Sequence, residues 1–264
     1  MTKKNKTDVA IVATAVKIHF WKDFYAKLCL NESKIHLIFV GNQEPKFKLP
    51  DNFTFIYSDL KPAACAEIAY RYSYENIDSR FILHTADDLV FEPNYIDALV
   101  EQYSIKKQEY KDRDIMITPR SRHQSGNYDL MAPHNGGPLL GTAPFTTTEN
   151  NKKIGGIDKR FYSVCWDMDR VYRFYQMGGI MIPLLEKECP AICERPQGAG
   201  LWGQYANHDL NVLKEYWGPI LEDQIDGIEI FSSSMVGGEN KTTKKKFVFS
   251  RRESPLQYNN EELE

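Results

Sequence analysis

Two adjacent carboxylates stand in an unfavourable place in this sequence. In "RFILHTADDLVFEPNYIDALV", Arg80 to Val100, the apolar run Phe81-Ile82-Leu83 leads directly into Asp87 and Asp88. Like charges side by side repel, and carboxylates at the end of a buried strand are costly to desolvate. An Asp pair alone reads as a helix cap, but the following helix begins only at Pro93, several residues on. Hard divalent cations such as Mg2+ or Mn2+ take oxygen ligands and offset such repulsion, so the pair is a candidate metal site. A metal held there would neutralise a departing diphosphate.

A second acidic cluster lies in "GGIDKRFYSVCWDMDRVYRFYQMGG", Gly155 to Gly179. Asp167 and Asp169 open a helical pattern, where acids suit the helix dipole. The "GGID" turn upstream is tight enough to deliver a carboxylate into a cleft. A carboxylate so positioned acts as a general base toward a substrate hydroxyl. Three lesser candidates follow. His208, with Asp209 beside it, is a metal or diphosphate ligand if it is more than a core histidine. Lys61, just before a helix, is a phosphate contact if it is more than a solvated lysine. Trp202, flanked by glycine, is suited to stacking on a sugar face.

The elements that must position these groups alternate. "DVAIVATAV" reads as a buried parallel strand, His19 to Ser33 as a helix, "KIHLIFVGN" and "NFTFIYS" as strands, Pro62 to Asn76 as a helix and "RFILH" as a fourth strand. This β-α-β-β-α-β order implies an α/β fold with a mostly parallel central sheet flanked by helices. Ligands bind such sheets at the carboxyl ends of the strands, which is where Asp87 and Asp88 stand. A helix follows through about Tyr103, and "DIMITP" and "IMIPLL" read as further strands. Arg120 to Lys153, rich in Gly, Pro, Asn and Thr, reads as a long functional or disordered loop. The polar residues 239–264 read as a peripheral tail.

The chain resembles nucleotide-sugar-dependent glycosyltransferases of the A-type fold, closest to the large inverting family 2. The resemblance rests on "TADDLVFEPNYIDALV" and on the "GGID" block with its acidic pair, Arg and Gly, and spans roughly Asp8 to Gly179. It implies a single glycosyltransferase domain over residues 1–238, with about 8–100 binding the nucleotide sugar and 101–238 building the acceptor side. It implies a hexosyl- or pentosyltransferase in which Asp167 is the base and Asp87, Asp88 and His208 hold Mn2+ or Mg2+. Thr14, Ala15, Lys61 and Asp87 would line the donor. Its partners would be a nucleoside-diphosphate sugar and a glycan or glycolipid acceptor. The sequence departs from the family pattern at Thr85, where the first Asp of an Asp-x-Asp motif falls, and at Trp166, where Glu is common. An inactive sugar-nucleotide-binding protein and a nucleotidyltransferase acting on sugar phosphates are the alternatives. The latter calls for a Gly-rich basic loop after the first strand, and "ATAVKIHF" is neither.

Composition bounds the rest. The 264 residues carry a net charge of −3, with 42% hydrophobic and 26% charged residues, an ordinary globular balance without a nucleic-acid footprint. The basic run Lys241 to Lys246 reads as a solvated segment. Five cysteines, an odd number without scaffold spacing, point to reduced thiols and a cytoplasmic protein. No signal peptide is visible and no apolar stretch approaches the ~18 residues that span a bilayer, so any membrane contact is expected to be peripheral.

Overall fold

The computed structural model describes residues 5–122, 128–129, 135–194, 202–236 and 239–264. The first half follows the expected alternation: β1 (Asn5–Thr14), α1 (Ile18–Leu28), β2 (Ile35–Gly41), β3 (Phe53–Tyr57), α2 (Pro62–Asn76) and β4 (Ile77–His84). A short β5 (Leu89–Val90) precedes α3 (Tyr95–Glu109) and β6 (Ile115–Thr118). Then come β7 (Ser121–Arg122), β8 (Tyr128–Asp129), β9 (Asn135–Pro138), β10 (Phe145–Thr147), α4 (Thr148–Ile154) and α5 (Trp166–Gln176). The chain closes with β11 (Ile180–Pro183), β12 (Ile192–Glu194), α6 (Trp202–Trp217), β13 (Leu221–Glu222), β14 (Ile228–Val236) and β15 (Glu239–Val248).

Seven strands form the central sheet, in the order β11-β6-β10-β4-β1-β2-β3. All its pairs are parallel except those of β10, which runs antiparallel between β4 and β6. β2 is buried at every position, as a strand covered on both faces must be. α1 turns Trp21, Phe24 and Leu28 inward at helical spacing. Burial of each such side chain contributes roughly 1.5–3 kcal/mol. Phe39 of β2 receives both Trp21 and Phe24 edge-on, at ring-centroid distances of 5.1 and 5.4 Å.

The region expected as one long loop is more structured. Its centre, 123–127 and 130–134, lies outside the described residues, but its flanks supply strands to all three sheets. β10 is only three residues long, too short for any periodicity to show, and it enters the sheet because Phe145 pairs with Leu83 on one side and Ile117 on the other. A second sheet, β5-β12-β7-β8, follows directly from the Asp87-Asp88 loop.

Residues 239–264, read as a peripheral tail, are instead built into the fold. β15 pairs with β14 over nine registered positions, completing the sheet β13-β15-β14-β9. Beyond it, Phe249 is buried against Tyr172, Tyr175 and Trp217, and Arg251 reaches the start of α5. Alternating polar residues on a half-exposed hairpin make the segment look soluble in sequence, although one face is covered.

All five cysteines are free. Among the described residues no helix is long and apolar enough to cross a membrane.

Candidate functional site

The carboxyl ends of β1 and β4 meet the start of α5. At the first of these, Ala15 donates its N–H to Val40 O at 2.9 Å, drawing the end of β1 against β2. Gly41 permits this approach, since a Cβ there would stand 2.0 Å from the Ala15 carbonyl oxygen. Thr14 is partly exposed at this strand end and Ala15 is buried.

Asp87 is 3% exposed, and its Oδ2 accepts the N–H groups of Val16 at 2.8 Å and Lys17 at 2.6 Å and the indole N–H of Trp21 at 2.9 Å. It therefore staples the β1–α1 connection to the end of β4, satisfying N–H groups at the mouth of α1. Burial pushes its carboxyl above the ordinary aspartate range, opposed by the Trp21 and Lys17 hydrogen bonds. Asp88 forms an ion pair with the Lys17 ammonium. The adjacency that looked costly in sequence is thus relieved by three N–H donors and one cation, all from the β1–α1 segment.

That arrangement bears on a metal. An oxygen already facing three N–H donors is not disposed toward a cation, and Asp88 shares its charge with Lys17. Among the described residues no three His, Cys, Asp or Glu side chains are grouped to hold a metal, so Asp87, Asp88 and His208 do not converge as one ligand set. The residues do not form a closed protein cage. Mg2+ is commonly held by one or two carboxylates together with substrate phosphates, a mode that needs no closed cage.

His208 is largely exposed on α6. Its ring stacks on Tyr162 at 4.1 Å and 11°, and its Nε2 lies 3.0 Å from Arg160 O. The Lys61 Nζ lies over the same Tyr162 ring, 3.1 Å from its centroid, and its helix α2 starts where Ala63 donates to Tyr162 O at 3.0 Å. Asp209, fully buried, accepts the N–H groups of Tyr162, Ser163 and Val164 at 2.9, 2.8 and 2.7 Å. It clamps the loop that leads into α5, and its Oδ1 lies 3.9 Å from His208 Nε2. The Trp202 side chain lies outside the described residues.

The second acidic cluster separates into two roles. Asp169 and Asp158 are both 0% exposed. Asp169 accepts from Arg173 at 2.9 Å, from Arg251 at 2.9 Å and from the Trp217 indole at 2.8 Å. Asp158, the acid of "GGID", is bracketed by Arg160 and Arg251, each 2.6 Å from its Oδ2. Hydrogen bonds from Arg160 and Arg251 hold Asp158 below the usual carboxylate range against its burial, which acts the other way. Arg170 and Arg173 donate to the Gly155, Ile154 and Gly156 carbonyls, and Glu67 of α2 accepts the Ile157 N–H at 2.8 Å. These groups frame the turn and the helix.

Asp167 is different. Cys165, just before α5, holds φ at 62°, a left-handed conformation rare outside glycine, and this turn aims the first residues of the helix. The Asp167 carboxylate is partly buried, accepts the Met168 N–H at 2.9 Å, and is ion-paired with no cation among the described residues. Burial pushes its carboxyl above the ordinary range, which the Met168 N–H opposes. It lines a cavity of about 510 Å³ together with Leu140, Pro144, Met168, Ala206 and Leu210. On its other side a cavity of about 20 Å³, room for one water, is bounded by Asp167, His84, Tyr70 and Arg170. A cavity of about 540 Å³ at the amino end of β2, near Lys34 and Asn52, receives none of these side chains.

His84, absent from the sequence candidates, is the last residue of β4. Its Nδ1 is buried without a hydrogen-bond partner among the described residues, and it stacks on Tyr70 at 5.9 Å. Burial, and then repulsion from Arg170, push its imidazole down to about 3, so it is neutral at physiological pH. A histidine ending a strand one turn before the acidic pair was the available signal.

No family profile and no curated protein sequence matches this chain. Solved structures do. A mannosyltransferase, PcManGT from Pyrobaculum calidifontis, in complex with GDP-Man and Mn2+, aligns over 81% of this chain with 12% identity and a TM-score of 0.52. S. aureus TarS aligns over 79% with 9% identity and a TM-score of 0.49. This chain spans 65% of the first structure's length and 39% of the second's. At such identity the likeness is one of fold: this chain shares its mixed α/β architecture with PcManGT.

Proposed function

We propose that the protein is a glycosyltransferase that moves a sugar from a nucleoside-diphosphate sugar to a hydroxyl acceptor with inversion at the anomeric carbon. The observation that carries this reading is Asp167: an acid without a cationic partner among the described residues, raised by burial, lining a cavity beside the carboxyl end of the sheet. A base needs a carboxylate poised nearer its working pH than an exposed Asp, and it needs room for a hydroxyl within reach.

In the step, Asp167 takes the acceptor hydroxyl's proton as that oxygen bonds to the anomeric carbon. The bond from that carbon to the diphosphate oxygen breaks on the opposite face, and the nucleoside diphosphate leaves with the electron pair. A divalent cation, Mn2+ or Mg2+, carried by the diphosphate would neutralise charge on that leaving group, with Asp88 as its carboxylate ligand. The donor would lie over Thr14 and Ala15, with Lys61 and the start of α2 toward the phosphates. PcManGT, of similar fold, is described with GDP-Man and Mn2+, which supports this chemical class. The β1–α1 segment, fixed on Asp87 and free of a glycine-rich phosphate loop, does not favour nucleotidyl transfer.

The test is a thermal-shift and turnover panel of UDP-, GDP- and dTDP-sugars with and without Mn2+. A specific nucleotide that raises Tm and is turned over supports the reading. No response to any nucleotide, with or without metal, overturns it.

A further inference from the structure

The walls of the cavity in front of Asp167 differ from those of a site built for a bare sugar chain. Leu140 and Pro144 close one side, Val164 and Met168 the floor near α5, and Ala206 and Leu210 the side formed by α6. Among the described lining residues there is no Lys, Arg or His, and Asp167 is the single charged group. Besides it, Ser163 is the one side chain with a hydroxyl among the described lining residues. An anionic acceptor would meet a carboxylate and no cation. An oligosaccharide would turn its hydroxyls toward apolar groups that cannot hydrogen-bond them. The one aromatic residue among the described lining residues, Trp166, is 6% exposed and packs perpendicular to His84, so it offers little ring surface as a sugar platform.

We propose that this cavity is the acceptor's apolar subsite, and that the acceptor is an uncharged hydroxyl compound joined to an alkyl chain, the chain lying along Leu140, Met168 and Leu210 with the hydroxyl at Asp167. This rests on the glycosyltransferase reading and narrows its acceptor. The volume of about 510 Å³ falls in the range of small-molecule sites. Aliphatic walls with a flexible Met accommodate a chain in several conformations. The same transfer balances here: the acceptor O–H proton goes to Asp167, the new C–O bond forms, and the nucleoside diphosphate departs with the electron pair.

The probes are octyl β-D-glucopyranoside, kept below its micelle concentration, and methyl β-D-glucopyranoside, which carries the same hydroxyls without the chain. Binding is measured by calorimetry on the full chain. Turnover is measured with the nucleotide sugar chosen by the thermal-shift panel. Each buried methylene favours binding by about fourfold, so the octyl compound is expected to bind at least about 100-fold more tightly. Ala206→Trp, which fills the cavity, is expected to cut that preference at least tenfold. Leu210→Glu, at a position 37% exposed and therefore tolerant of charge, is expected to do the same should the first variant fail to fold. Equal affinity for the two glycosides, or a preference untouched by both variants, overturns the apolar subsite while nucleotide binding still supports the enzyme class. Tight octyl glucoside binding without any nucleotide response overturns the enzyme class instead.

Discussion

The Trp166 ring meets the His84 imidazole edge-on, with centroids 4.8 Å apart and planes at 86°. This contact joins the end of β4, three residues before Asp87, to the start of α5, one residue before Asp167. Two acidic clusters 80 positions apart in sequence thereby share one rim of the sheet, as parallel α/β architectures require of their ligand-binding edge.

Burial of His84, and then the Arg170 charge near it, make acid stability depend on this residue. Its folded pKa is about 3, against 6.5 for an unperturbed imidazole, so between those values the unfolded chain binds a proton that the folded chain does not. Stability from this group is full above about 6.5 and declines as pH falls toward 3. His84→Phe keeps a ring against Tyr70 and Trp166 and removes the proton. The fall in Tm between pH 6.5 and 4 is expected to be smaller in the variant than in the parent, by thermal melts across that range; identical slopes would refute it.

Asp87 and Asp88 are expected to respond differently. Asp87→Ala removes an acceptor for three N–H groups, two of them backbone, and is expected to cost about 2–4 kcal/mol of folding stability. Asp88→Ala breaks one partly exposed ion pair and is expected to cost less than about 1 kcal/mol. In the proposed chemistry Asp88→Ala weakens Mn2+-dependent nucleotide binding, whereas Mn2+ alone shifts Tm little in any variant. Urea melts and nucleotide titrations on both variants decide this; equal stability losses would mean that Asp87 is not the staple described.

Much of this was legible in sequence because burial writes itself into residue type. Continuous runs such as "IHLIFVG" mark doubly covered strands, and Pro62 marks a helix start that the structure places at that residue. The roles within each acidic pair were not legible. Asp167 and Asp169 are alike in type, and besides the i,i+4 partner Arg173 it is the long-range partners Trp217 and Arg251 that set Asp169 apart. Asp209 likewise reads as a neighbour of His208, yet its three donors lie more than 40 positions away. β10 and the covered face of β15 were hidden for the same reason: their structure depends on pairing partners that local pattern does not name.

Arg251 should be needed for the frame of the site although it lies far beyond the resembling region. Its side chain is 4% exposed and its guanidinium bridges Asp158 and Asp169. Replacing it with Ala leaves two buried carboxylates with one cation fewer each; Arg160 and Arg173 remain, so the loss is expected near the lower end for such pairs, about 3 kcal/mol. A chain ending at residue 248 is expected to melt lower still, since Phe249 goes too. Denaturant melts at matched pH check both; a wild-type midpoint for Arg251→Ala would show the bridge to be dispensable.

The sharpest expectation concerns Asp167, where activity and stability should move in opposite directions. Burial raises its folded pKa, so the folded state prefers the protonated form. Above the folded pKa the group is ionised in both states, and the native state bears a penalty that vanishes below the unfolded value of 3.8. Asp167→Asn removes that penalty, so it is expected to raise Tm at pH 7 and to leave it unchanged near pH 3. The same change removes the base, and turnover is expected to fall by ~10²–10⁴-fold with donor affinity kept. Asp169→Asn, which weakens the bonds from Arg173 and Arg251, is expected to lower Tm. The parent's acid limb in kcat should lie above the ordinary aspartate range of about 3.9. If Asp167→Asn retains turnover while Asp169→Asn abolishes it without unfolding, the base has been assigned to the wrong carboxylate. If Asp167→Asn loses both turnover and stability, the carboxylate belongs to the frame and not to the chemistry.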